Sequence, residues 1–241
     1  MKHAALLLAF IAGAAGAIDP TPTAIAPFSS GTPGAAPAEP WRITRLPKVA
    51  RETSYRLVND EGTTVLRAEA RGSMSGYSQA VHADPLATPI LEWRWKVSGV
   101  LSGAKFGDRS ADDFAARVYV LFDFDLARLP FATRLKIRLA RAFYGEAVPA
   151  AGLCYVWDAK AAVGTAGWSP YTDRLRVIVV ESGTARIGQW STVRRDVAED
   201  YRAAFGQDPP AISGVAIATD TDNTGEAVTA WYGDIRLLAA P

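Results

Sequence analysis

Apolar and polar side chains alternate with a period of two through most of this chain, the spacing of a strand that buries one face. Such runs occupy residues 41–46, 54–59, 63–70, 89–97, 114–124, 153–158, 174–181, 213–219 and 227–237. Turn-forming residues separate them: Asn59 to Gly62, Ser98-Gly99, Gly164 to Pro170 and Ser182-Gly183. Many strands with short connections predict an all-β fold, a jelly-roll-like antiparallel β-sandwich with one or two peripheral helices. The last two runs flank a polar turn containing Asp220, Asp222, Asn223, Thr224 and Gly225, which predicts that they pair as antiparallel neighbours closing the domain.

Two stretches have helical spacing instead. Residues 132–144 set Leu135, Leu139 and Phe143 on one stripe among Arg134, Lys136, Arg138 and Arg141. A basic amphipathic helix can lie on a membrane, but this one is short and lacks Trp, so packing across the sandwich suits it better. Residues 192–205 repeat Val193, Val197, Tyr201 and Phe205, with Thr192 placed to cap the start and Gly206 to end the helix.

The first residues follow a different logic. Lys2, the small apolar stretch Ala4 to Gly16 and the Ala15-Gly16-Ala17 site make residues 1–17 an export signal, so a periplasmic or secreted location is expected. No segment approaches the roughly 18 consecutive apolar residues of a transmembrane helix. Residues 18–40, rich in Pro, Ala, Thr, Ser and Gly, read as a disordered spacer, which leaves 41–241 as a single sandwich domain. A net charge of +1 over 241 residues gives no reason to expect nucleic acid as a partner. Cys154, alone in the chain, cannot form an internal disulfide and reads as a small buried hydrophobe within a strand. None of this sets the oligomeric state.

Candidate chemistry comes from which residues share a strand face. Glu92, Arg94 and Lys96 oppose Leu91, Trp93, Trp95 and Val97, which read as core. Arg117 and Tyr119 oppose Val118 and Val120; Tyr155 and Trp157 share one face, and Arg176 opposes Val177. If the mixed faces belong to one sheet, Glu92, Arg94, Arg117, Tyr119, Tyr155, Trp157 and Arg176 form a ligand surface: rings stack on sugar faces and charged groups bond hydroxyls. An ordinary solvated face with weak ion pairs is the competing reading.

Carboxylates offer a second possibility. Asp112 and Asp113 precede a strand carrying Arg117, and suit acid/base work, a divalent cation or simple pairing with that Arg. Asp220, Asp222 and Gly225 open like a calcium loop, yet Trp231 stands where an EF-hand needs its bidentate Glu. A lone structural calcium held by Asp220, Asp222 and Asp234 stays open beside a plain Asx-rich turn. There is no GxSxG, HExxH, Walker, CxxC or GxGxxG motif, and only His82 follows the export signal.

Taken together, EWRWKV, DDFAARVYVLFD, CYVWD, RDVAEDYRAAFG and GVAIATDTDNTGEAVTAWYGDI resemble a family of bacterial periplasmic proteins defined as a domain of unknown function, over residues 41–238. That family brings no agreed activity. More distantly, the closing segment resembles the last strands of galactose-binding-like and carbohydrate-binding jelly rolls, where an Asp in the last strand, here Asp234, helps hold a cation. These readings converge on an exported, non-catalytic module for a glycan or envelope polymer. The alternatives are a glycan-active hydrolase or lyase using Asp112, Asp113 or Glu92, and an envelope protein that docks through an apolar patch.

Overall fold

Leu91, Trp93, Trp95 and Val97 are fully buried, while Glu92 and Arg94 between them are not, so this strand lays one face on a core. The computed structural model describes residues 23–36, 39–46, 49–135, 137 and 150–240. Its strands are β1 (Thr23–Ala26), β2 (Arg42–Thr44), β3 (Ser54–Asp60), β4 (Thr63–Arg71), β5 (Gly76–Ala83), β6 (Ile90–Val97) and β7 (Ala116–Phe122). There follow β8 (Gly152–Asp158), β9 (Ala166–Ser169), β10 (Thr172–Ser182), β11 (Ser191–Asp196), helix α1 (Val197–Phe205), β12 (Ile212–Ala218) and β13 (Ala227–Leu238).

The strands form two sheets. One runs β11-β6-β13-β4-β3, with β1 paired to the C-terminal part of β13; the other runs β2-β5-β12-β7-β8-β10-β9. The β8–β10 pair is parallel and the others are antiparallel. The chain is an all-β sandwich. Aromatic side chains fill the space between the sheets: Trp93 meets Trp95 at 5.4 Å and Tyr155 at 5.3 Å between ring centroids, and Trp95 meets Trp157 at 6.1 Å. Each such side chain removed from water contributes roughly 1.5–3 kcal/mol. A smaller cluster, Phe114, Cys154, Val156, Val177 and Val179, lies on the other side of the seven-stranded sheet, packed by Phe106 and Tyr119.

Four sequence expectations change. Residues 23–36, expected within a disordered spacer, contain β1 and a 3-10 turn at Phe28–Ser30, with Ile25, Ala26 and Phe28 buried. The two closing strands are not a hairpin: β12 sits between β5 and β7, β13 between β6 and β4, and the connection over 219–226 crosses from one sheet to the other. Buried Thr219, Asp220 and Thr221 anchor that crossing.

The helix expected over 192–205 starts only at Val197. Ser191 and Val193 are buried on a strand paired with β6, and Asp196 caps the helix in place of Thr192 by accepting the Glu199 N–H at 2.8 Å. Gly206 ends it as expected, in the left-handed conformation at φ 69°. Polar β5 and short β9 were not expected, because neither carries a run of large apolar residues. Of the basic helix expected over 132–144, residues 132–135 and 137 are helical and the remainder lies outside the described residues. Among the described residues no helix is long and apolar enough to cross a membrane.

Candidate functional site

The outer face of the six-stranded sheet carries the side chains that alternate with its core residues. From β6 these are Glu92, Arg94 and Lys96; from β11, Thr192 and Arg194; from β13, Trp231, Asp234 and Arg236. A cavity of about 220 Å³ opens there, lined by Ser29, Glu92, Arg94, Thr192, Asp234 and Arg236 among others. Arg236 holds one oxygen of Glu92 at 2.7 Å through Nε, and Arg194 approaches the other at 3.3 Å. Asp234 accepts the Ser29 N–H at 2.8 Å and the Ser29 hydroxyl at 2.6 Å.

Two half-buried Trp side chains border this polar floor. The Arg94 guanidinium lies 4.4 Å over the Trp190 ring. Lys96 lies 5.2 Å from Trp190 and 5.1 Å from Trp231, and pairs with Asp60 at 2.5 Å. Trp190 donates its indole N–H to the same Asp60 at 2.8 Å. The arrangement offers flat apolar area beside fixed donors and acceptors, the mixture that a polyhydroxylated ring requires.

A second concentration of charge closes one end of the sandwich. Asp113, Asp220 and Asp222 bring carboxylate oxygens within 4.8 Å of one another. Arg117 from β7 is buried beside them. It donates Nε to Asp220 at 2.8 Å, Nη2 to the other Asp220 oxygen and to the Asp112 carbonyl, and lies 3.5 Å from the Asp112 carboxylate. Asp113 accepts the Thr224 N–H at 2.6 Å and the Asn223 N–H at 3.3 Å. An all-oxygen donor set suits calcium. Here, however, both Asp220 oxygens are held by Arg117 and both Asp113 oxygens by the 219–226 crossing, so the guanidinium already serves as the counter-cation. Asp234 is not part of the cluster; it lies with Ser29 on the outer face of the six-stranded sheet.

Among the described residues, one buried cation among four carboxylates leaves this end over-supplied with negative charge. Burial, with Asp113 and Asp112 adding to it, pushes Asp220 up to about 7 against the pull of Arg117. Burial likewise raises Asp112 and Asp222. A carboxyl that holds its proton more tightly folded than unfolded stabilises the fold fully below its unfolded value, near 3.8, and loses that contribution as pH climbs through the folded value. The thermal midpoint should therefore decline as pH rises from about 4 to about 7. Asp222→Asn, at an exposed position, should remove only its own share of that slope and leave the share of buried Asp220; a slope lost entirely would place its source at Asp222 instead.

The seven residues expected to form one ligand surface lie in four places. Glu92 and Arg94 face the cavity. Arg117 and Tyr119 lie on the opposite side of the seven-stranded sheet, Arg117 sealed under the acidic end and Tyr119 packed against the small cluster of Cys154. Tyr155 and Trp157 point between the sheets, because Tyr155 pairs in register with Val118 and shares its core-facing side. Their polar atoms are satisfied there, Tyr155 by Asp200 at 2.8 Å and Trp157 by the Gly183 carbonyl at 3.1 Å, so neither can stack on a ligand. Arg176 lies on β10, over Trp168 of the edge strand β9 at 5.2 Å. Trp190, Trp231, Thr192 and Arg236 were missed as site residues. Period-two alternation past buried Tyr232 signals an outward Trp231, whereas nothing local marks Trp190. Burial pushes the Cys154 thiol up to about 12, in keeping with an inert core position.

A family model described as protein of unknown function (DUF3047) matches residues 39–236. The chain belongs to this family. The DUF3047 match takes in both sheets but leaves β1 outside it. Among curated proteins, none matches. Solved structures with a similar course include the family 30 carbohydrate-binding module of a cellulosomal cellulase of Clostridium thermocellum, at 12% identity over 80% of this chain and 86% of that one, with a TM-score of 0.35. The carbohydrate recognition domain of Emp47p is similar at 10% identity over 91% and 96%, with a TM-score of 0.47. The cellulose-induced protein Cip1 is similar at 13% identity over 89% and 96%, with a TM-score of 0.35. These likenesses concern the course of the chain and say nothing of what this DUF3047 member binds.

Proposed function

We propose that the protein is a non-catalytic glycan-binding module and that its site is the outer face of the six-stranded sheet. One observation carries this reading: a cavity lined by Glu92, Arg94, Thr192, Asp234 and Arg236 adjoins Trp190 through Arg94, with Trp231 beyond Lys96. At about 220 Å³ the cavity falls below the roughly 300–1,000 Å³ of a pocket for a drug-sized ligand. It suits one residue of a polymer whose neighbours lie along the sheet. Both Glu92 oxygens are engaged by arginine, and Asp234 is held by Ser29, which favours binding over acid/base turnover. Export, expected from residues 1–17, would bring the module to envelope polymers.

Calorimetric titration of the protein with a panel of oligosaccharides tests the reading. Binding should weaken by roughly three- to tenfold in Trp231→Ala, with the thermal midpoint little changed. The oligosaccharide should be recovered uncleaved. Cleavage would favour the hydrolase reading, and unaltered affinity in Trp231→Ala would remove that ring from the site.

A further inference from the structure

Among the described residues, most charges on the outer face of the six-stranded sheet are matched; Arg56 and Arg71 stand unpaired but exposed to water, whereas Arg94 is unpaired and half-buried. Glu92 takes Arg236 and Arg194. Lys96 takes Asp60 at 2.5 Å and approaches Glu61 at 3.7 Å. Arg67 takes Glu69 at 3.1 Å. The Arg94 side chain, half-buried at the cavity wall, has no hydrogen bond and no carboxylate within 4 Å among the described residues; its guanidinium rests on the face of Trp190. A stacked guanidinium keeps its in-plane N–H donors free, and the stack holds that fork in a fixed orientation. A half-buried cation without a counter-charge is costly unless something supplies one.

Local sequence is arranged around this side chain. Arg94 lies flat across Gly233, where a Cβ would fall 2.5 Å from its Cγ and 2.7 Å from its Nε. Glycine at 233 is therefore what lets Arg94 reach Trp190. Asp234 lines the same cavity, an acceptor whose only hydrogen-bond partners among the described residues are the two Ser29 donors. An open planar donor fork thus shares one cavity with a carboxylate able to accept further hydroxyl hydrogens. The complementary ligand carries a planar anionic group beside hydroxyls on one small ring.

We propose that Arg94 is a carboxylate receptor and that the glycan is acidic, its uronic-acid carboxylate lying bidentate on the Arg94 fork while neighbouring hydroxyls donate to Asp234. This deepens the glycan-binding reading and rests on it. Bidentate pairing between guanidinium and carboxylate is among the stronger polar contacts and selects planar anions by geometry. Arg194 and Arg236, already engaged by Glu92, keep the rim positive without competing for the same anion.

The test compares oligomers of galacturonic, glucuronic and mannuronic acid with their methyl esters and with neutral galacto- and gluco-oligosaccharides, all titrated against the protein. Methyl esterification removes the charge and keeps the ring. At least one uronate series should bind roughly 10- to 100-fold more tightly than its ester. Arg94→Gln should erase that preference, and Arg94→Lys, which keeps the charge and loses the fork, should retain only part of it. Gly233→Ala, which leaves Arg94 in the sequence but displaces it from its seat, should reduce the preference too. Circular dichroism and thermal midpoints establish that each variant is folded. Equal binding of acid and ester, or a preference that survives in folded Arg94→Gln, would overturn the acidic assignment and leave the glycan site standing. Failure of every acidic and neutral oligosaccharide to bind the folded protein would overturn both.

Discussion

Replacing Arg117 with Met should lower the stability of the protein by about 3–5 kcal/mol in urea unfolding. The side chain is buried and supplies the counter-charge to Asp220, with further contacts to the carbonyl and carboxylate of Asp112. Met fills much of the volume, so the loss reports the stranded carboxylates more than a cavity. Truncating one partner of a buried pair costs far more than the pair itself contributes, since the remaining charge stays desolvated. The reciprocal variant separates these terms. Adding Asp220→Asn to Arg117→Met should recover part of the loss, because the amide needs no counter-charge, although it leaves the Phe114 N–H with a weaker acceptor. A loss below about 1 kcal/mol in Arg117→Met would mean that the acidic end is already neutralised by protons. The effect should reach both sheets, because Arg117 ties β7 to the crossing that delivers the chain into β13.

The same residues show how far the sequence could be read. Period-two alternation located most of the strands and placed Trp93 and Trp95 inside, since β6 has one polar and one apolar face. It failed on β8, whose residues are all buried: one side faces the other sheet, the second lies under Phe106 and Ala161. With both faces apolar, alternation still pairs Tyr155 with Trp157 but cannot say which side of the sandwich they occupy. That ambiguity moved two core aromatics into an expected ligand surface. Sheet membership was the other gap. Glu92 and Arg117 each sit on a strand with a mixed face, and only long-range pairing reveals that β6 and β7 belong to opposite sheets. Asp234 illustrates the same limit, lying close in sequence to Asp220 and Asp222 yet carried away by the crossing. The site proposed above needed tertiary information for a similar reason. Trp190, Gly233 and Arg94 meet only because β11 and β13 flank β6.

A chain beginning at Trp41, the boundary that composition suggests, should lose at least about 4 kcal/mol and tend to aggregate. The segment removed is rich in Pro and Ala, and Ile25 and Phe28 are its only large apolar side chains between residues 23 and 36. Both are buried, which alone is worth roughly 1.5–3 kcal/mol each. Phe28 packs on Trp41 at 5.4 Å, and Trp41 stacks on Tyr77 at 5.6 Å, so the loss would loosen a row of rings reaching Tyr55. Backbone pairing adds to this. β1 covers the C-terminal part of β13, where Thr23, Ala24 and Ala26 lie opposite Leu237, Arg236 and Ile235. Gly34 and Ala35 bond both main-chain groups of Leu57 on the edge strand β3, at 2.7 and 3.0 Å. Without the segment, two stretches of strand edge open to other chains. Ser29 also leaves Asp234, so the cavity should lose affinity for the proposed glycan even where truncated protein can be recovered. Urea unfolding of chains starting at residue 18 and at residue 41 decides the matter: equal midpoints and equal solubility would show that β1 is an ornament on a domain already complete, whereas the expected gap would make it a strand of the sandwich that low-complexity composition conceals.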